Sequence, residues 1–349
     1  MPTTLRLLIL TGTAVALLGL ASSALAVPRL IVDGSTIQVT EEKSDAAPLK
    51  ITIYIATGYS ATLGQAVNTQ IGTVHADLQA LAISPDAIIP ADGTVLTADA
   101  TKFTANTCAP GNHAAVWLLH VTVSGQTIDV PVYVDPTSGT ETALGAAKLQ
   151  LCLADPYENA GAARAPFGVK IINAKLTLTN IVAPTAAGTY VFRSIITPWN
   201  TAAPAPDAAH TVEVQSIVSL PHSLSLKATV KTIRHKKKVH GKTKITVTNS
   251  VRLTGALTEN GQGVAGAKID IFSGGKSRGS TTTSSSGTYS RSLGLPNKTT
   301  FQTKATVAQR DVACVSPLPA TQVPGGCTGA TIAGYTIASP TVTVTPKKK

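Results

Sequence analysis

Apolar and polar residues alternate with a period of two along much of this chain, and that leaves little choice of fold. Gly72, Val74, Ala76, Leu78 and Ala80 face one way while Thr73, His75, Asp77 and Gln79 face the other, the pattern of a strand buried on one side. A helical spacing of Val67, Ile71, Val74 and Leu78 competes and is weaker. Similar runs occupy residues 49–55, 116–123, 128–134, 148–153, 169–178 and 189–196, with turn pairs at Asp92-Gly93, Ser124-Gly125, Ser138-Gly139 and Ala187-Gly188. Short strands separated by turns, without a long amphipathic helix, predict an all-β sandwich fold. Composition agrees: 13% of residues are charged, 4% aromatic and 43% hydrophobic, as expected of strands whose solvent faces carry hydroxyls.

The first 26 residues read as a secretory signal peptide. Arg6 precedes an apolar run from Leu7 to Leu20, and Ala24-Leu25-Ala26 supplies a small-residue cleavage site before Val27. That run is shorter than the roughly 20 apolar residues of a membrane span, so the mature form is expected to have no transmembrane segment. The remaining chain is long enough for two domains, each with its own core. We place one β-sandwich over 27–219 and a second over 220–345, with a basic tail at 346–349. The boundary falls at Ser219-Leu220-Pro221-His222, after a Pro- and Ala-rich loop over 197–211. Export to an oxidising compartment favours disulfides, and local pairing joins Cys108 to Cys152 and Cys314 to Cys327.

In the second half, Leu224, Leu226, Ala228 and Val230 are expected inside, against Lys227, Thr229 and Lys231 outside. A return strand carries Ile245, Val247, Val251, Leu253 and Leu257, and residues 235–241 form the expected hairpin tip. Further on, Gly263, Val264, Gly266, Ala267 and Ile269 make a turn and strand, followed by Thr283, Gly287 and Tyr289 in a T-x-x-x-G-x-Y hairpin. Residues 220–345 thereby resemble the bacterial Ig-like and carboxypeptidase-regulatory-like β-sandwich modules. The resemblance implies an Ig-like fold and a non-catalytic role as spacer, adhesive unit or appendage.

No catalytic motif is present: G-x-S-x-G, H-E-x-x-H, a P-loop and a strand-linked G-x-G-x-x-G are all missing. No catalytic residue, metal or cofactor is therefore assigned. The cysteines lack C-x-x-C spacing, which removes support for zinc. His113 and His120 are seven apart, hence on opposite faces of one strand. The acidic turns 135–141 and 155–159 offer two carboxylates each, too few for a calcium ion that takes about six or more oxygens. Trp117 reads as core, and Trp199, beside Pro198, is the only exposed platform a sugar could stack on. Leu318-Pro319-Ala320-Thr321-Gln322 superficially resembles a sortase signal but departs from it at Gln322, and the stretch after it is interrupted by Gly325, Gly326, Cys327 and Pro340.

Charge is the remaining signal. Residues 27–215 carry nine basic and fifteen acidic side chains, residues 216–349 nineteen and three. Lys227, Lys231, Arg234, Lys236, Lys237, Lys238, Lys242 and Lys244 gather in the hairpin with no acid nearby. They suit an anionic cell-envelope polymer. No aromatic residue interleaves with them, which argues against specific nucleic-acid binding. Two other readings apply: exposed lysines keep strand edges from aggregating, or the acidic first half docks on the basic second. The sequence thus predicts a secreted or cell-surface bacterial protein that binds or builds and does not catalyse. The alternative is an exported hydrolase with its site in residues 27–219. No protein partner is identified.

Overall fold

The computed structural model describes residues 28–347 except Ala82, 158–167 and Gly241. The segment expected to be a signal peptide, the end of the basic tail, Glu158 and Asn159 lie outside the described residues. Within them the chain is all-β, with several sheets and no α-helix. No helix among them is long and apolar enough to cross a membrane.

The alternating runs form strands where expected. β1 (Arg29–Asp33) and β2 (Thr36–Thr40) make a hairpin, followed by β3 (Pro48–Ile55), the two-residue β4 (Ser60–Ala61), β5 (Gln70–Gln79) and β6 (Ile88–Ala98). Then come β7 (Ala115–Val123), β8 (Gln126–Pro136), β9 (Ala147–Cys152), β10 (Lys170–Leu178), the short β11 (Ile181–Val182), β12 (Gly188–Pro198) and β13 (Val212–Leu220). Apart from the β4–β11 ribbon, these belong to one sheet of 13 strands, completed by β22 (Arg310–Val312) and β23 (Cys327–Ile332) from the end of the chain and ordered β1-β2-β10-β5-β6-β7-β8-β9-β3-β12-β13-β23-β22. The layers of this sandwich are made by one sheet folding back on itself: β1 returns to β13, where Val32 N donates to Ser216 Oγ at 2.9 Å. Leu30, Val95, Trp117, Leu178 and Phe192 fill a single core between the layers.

Asp92-Gly93 is not a turn. Both residues lie inside β6, with Gly93 opposite Val121 of β7. A Cβ at Gly93 would come within 2.0 Å of the His120 carbonyl oxygen. The glycine marks a close approach of two backbones, the other role glycine plays within strands.

The second unit has two facing sheets. β14 (His222–Leu224), β15 (Lys227–Val239), β16 (Lys242–Glu259), β17 (Gln262–Gly263) and β20 (Thr288–Gly294) form one. β18 (Lys268–Ser273), β19 (Lys276–Thr282), β21 (Thr299–Val307), β24 (Tyr335–Ala338) and β25 (Val342–Val344) form the other. Leu257, Ile269 and Ala305 pack at one end of the space between them, and Leu253, Ile271 and Phe301 at the other.

One stretch does not follow the 220–345 division. β22 (Arg310–Val312) and β23 (Cys327–Ile332) leave the second unit and extend the sheet of the first, β23 running parallel to β13. Burial explains the attachment. Glu213 of β13 is fully buried, and its carboxylate accepts hydrogen bonds from Arg193 at 3.0 Å, Gln215 at 2.7 Å and the Ser316 hydroxyl of the excursion. Without Ser316 one oxygen of a buried charge would lose its donor, which is costly.

Both disulfides pair locally as expected, Cys108 with Cys152 and Cys314 with Cys327. The sortase-like stretch sits inside the second disulfide loop, where Gln322 N donates to Pro319 O at 2.9 Å.

A candidate polyanion-binding hairpin

The hairpin is longer and more regular than its sequence suggested. β15 and β16 pair without a break from Lys227 opposite Thr254 to Val239 opposite Lys242. Lys236, Lys237 and Lys238 therefore lie in paired strand and not in the predicted tip over 235–241, and His240 takes a positive φ of 49°. Strand alternation then divides the charges. Lys227, Lys231, Lys237, Lys242 and Lys244 share the outer face, while Arg234, Lys236 and Lys238 share the face of Ala228 and Val230. Ala228 and Val230 pack on the core, but the facing sheet does not reach the far half of the hairpin. Ile245, an inward position in the pattern, is 47% exposed there.

All eight predicted cations are exposed, and no ion pair among the described residues involves any of them. Residues 227–258 contain no Asp or Glu. Lys237 stands directly opposite Lys244, a like-charge cross-strand pair that destabilises an isolated sheet. A ninth cation, Arg252, belongs with them. Its partner is Thr229, which puts it on the outer face diagonal to Lys227 and Lys231. Sequence reasoning missed Arg252 because it lies outside the lysine run; its even position in β16 was the available signal.

Other sequence-level candidates are held by protein partners. The His113 side chain is buried just before β7, with Nδ1 2.9 Å from Asp135 and Nε2 3.1 Å from the Ala109 carbonyl. His120 is exposed, 2.7 Å from Asp129. Glu141 accepts from Lys148 at 2.8 Å and from the Tyr54 hydroxyl at 3.1 Å. Asp155 is buried and accepts from Tyr157 N at 2.8 Å. Among the described residues no group of three or more His, Cys, Asp or Glu could hold a metal ion.

Trp117 is fully buried, and Trp199 donates from its indole to Leu153 O at 3.2 Å. Trp199 borders a cleft of about 460 Å³ that also touches Glu41, Asp45, Asp207 and His210. Burial pushes the Glu41 carboxyl up to about 8, against the smaller opposing pull of Lys170. The Lys170 ammonium is buried as well and bonds the Glu42 and Asp45 carbonyls. A separate cavity of about 310 Å³ in the first unit is lined by aliphatic side chains such as Val74, Leu119, Leu151 and Ile171.

No protein-family model matches this chain, and neither the curated proteins nor the solved structures contain a match.

Proposed function

We propose that this is an exported, non-catalytic protein of the bacterial cell surface whose β15–β16 hairpin binds an anionic envelope polymer. The second unit then serves as an Ig-like carrier that projects the hairpin. The supporting observation is the set of nine exposed cations on one ribbon, with Lys237 set against Lys244 and no carboxylate between residues 227 and 258. Edge protection needs single lysines, whereas an opposed pair is eased by an anion between its members.

Replacing Lys236, Lys237 and Lys238 with glutamine tests the reading. Retention on teichoic acid should weaken and lose part of its salt dependence, because fewer counterions are released per molecule bound. Thermal stability should change by less than about 0.5 kcal/mol, since all three are exposed. Unchanged retention on teichoic acid, anionic vesicles and DNA, with increased light scattering, would leave the lysines as protection against aggregation.

A second reading, an exported hydrolase, draws on the acids and histidine around the Trp199 cleft. Against it, both Glu41 oxygens are sealed from solvent, so a substrate cannot touch them in this conformation. Hydrolysis of a polysaccharide or ester panel that disappears in Glu41→Gln would support the hydrolase. A panel without turnover would remove it.

A further inference from the structure

The outer face of the hairpin does not end in a flat sheet. At its base, between β14 and β15, Ser225 N still donates to Ala256 O at 2.9 Å, and beside this junction the surface dips into a cleft of about 780 Å³. Its floor is backbone at Gly255, where a Cβ would come within 2.0 Å of Ser225 O and 2.5 Å of the Tyr289 hydroxyl. Tyr289 is held beneath that floor, donating to Ser225 O at 2.6 Å, with its oxygen 2.9 Å from the Thr303 hydroxyl. The shape of the cleft is therefore tied to the core and does not depend on mobile surface chains.

The polar part of the lining has one chemical character, beside the apolar surface of Leu226. Lys227 and Arg252 supply two positive charges, Thr254, Thr282, Ser284 and Ser290 supply hydroxyls, and no lining residue is a carboxylate. Arg252 is oriented by a single bond from Nε to Ser290 Oγ at 3.2 Å. Its two terminal nitrogens make no hydrogen bond to a described residue, so the planar edge of the guanidinium is available. Lys227 stands diagonal to it on the same face, the arrangement in which long side chains of neighbouring strands come within reach of each other.

We infer that this cleft seats a single phosphate group of the polymer, the hairpin above it serving as the long-range electrostatic track. This rests on the polyanion reading and names the group recognised. A guanidinium edge matches two oxygens of a phosphate at once, an ammonium adds a point charge, and hydroxyls donate to the remaining oxygens. A hydroxyl-lined cleft without acids repels no part of such a group. The hairpin is a different kind of surface: its cations are spread over two faces and follow charge density and not shape.

Three probes and four variants test this in the full chain. The probes are inorganic phosphate, a short poly(glycerol phosphate) oligomer and phosphatidylglycerol vesicles. The variants are Lys227→Gln, Arg252→Gln, Arg252→Lys and the triple exchange of Lys236, Lys237 and Lys238 to Gln. Lys227 and Arg252 are exposed, and an unchanged melting temperature checks that their variants fold. Phosphate should shift the amide resonances of Arg252, Gly255 and Ser290 in the wild type and not in Arg252→Gln. Oligomer affinity should fall about tenfold in Arg252→Gln, the effect expected from losing a charged hydrogen bond. Arg252→Lys, which keeps the charge and loses the fork, should recover only part of it. The triple variant should still bind inorganic phosphate while its affinity for the oligomer becomes less salt-dependent.

If Arg252→Gln and Lys227→Gln bind the oligomer as the wild type does while the triple variant is weakened, the cleft is wrong and the hairpin reading stands. If the wild type binds none of the three probes, both fall. Binding of oligomer without vesicles identifies a soluble or wall-linked phosphodiester as the source, and binding of vesicles without oligomer identifies lipid headgroups.

Discussion

Glu41 is 5% exposed, and neither of its oxygens has a hydrogen-bond partner among the described residues. Desolvation is the main cause of its pKa of about 8, against 4.5 for an ordinary glutamate. The folded protein therefore holds this proton more tightly than the unfolded chain. That contribution to stability is complete below pH 4.5 and is lost as pH rises through about 8. Melting temperature should fall between pH 5 and pH 8.5, and Glu41→Gln, which cannot ionise, should remove most of the fall. Parallel melting curves for the two proteins would show that Glu41 is ionised in the fold. Gly93 is a second single-residue constraint. Gly93→Ala should cost more than about 2 kcal/mol in chemical denaturation, because its Cβ meets backbone that cannot yield. Gly294→Ala, where nothing lies within 4 Å, should change stability by less than about 0.5 kcal/mol.

Among the elements, the β22–β23 excursion matters most for testing how the chain is divided. Its disulfide joins Cys314 to Cys327, a separation of 13 residues, which loop entropy values at up to about 3 kcal/mol. Sequence position assigns that stability to the second unit; strand pairing assigns it to the first, through β13. Replacing both cysteines with alanine should raise amide exchange in β13 and β23 while leaving β18 and β21 protected. The opposite pattern would return the loop to the second unit. Most strands were legible in the sequence, because burial of one face imposes the period of two. The β1–β2 hairpin, β6 and β13 were not identified, β6 because its glycine imitates a turn. The hairpin cations were legible as a run. Their partition between two faces, and the membership of Arg252, depend on a register that links residues far apart in sequence.

In the whole molecule the two units are joined by more than the Leu220-Pro221 connection. The chain crosses again before β22 and after β23, and Arg310 in the excursion lies 2.5 Å from Glu259 at the end of β16. His222 stacks on Tyr335 beside this pair, ring centroids 3.7 Å apart. Burial lowers the pKa of His222, so it is held neutral near pH 7. Arg310→Ala leaves the Glu259 carboxylate without its counter-charge; with Arg310 37% exposed, we expect a loss of about 1–2 kcal/mol. Calorimetry should show one transition in the wild type and two in this variant, the second unit separating from the first; a single transition in both would place the coupling in the β13–β23 pairing alone. From sequence alone came the all-β class, the local pairing of the cysteines and the concentration of basic charge in the second half. Each depends on nearest-neighbour pattern, on spacing or on counting, and those are local properties. Which strands share a sheet, which unit owns the second disulfide and where a hollow opens beneath the hairpin were decided by tertiary structure. They depend on burying Glu213, seating Tyr289 under Gly255 and closing a sheet of 13 strands on one core, which are contacts between residues that no local pattern relates.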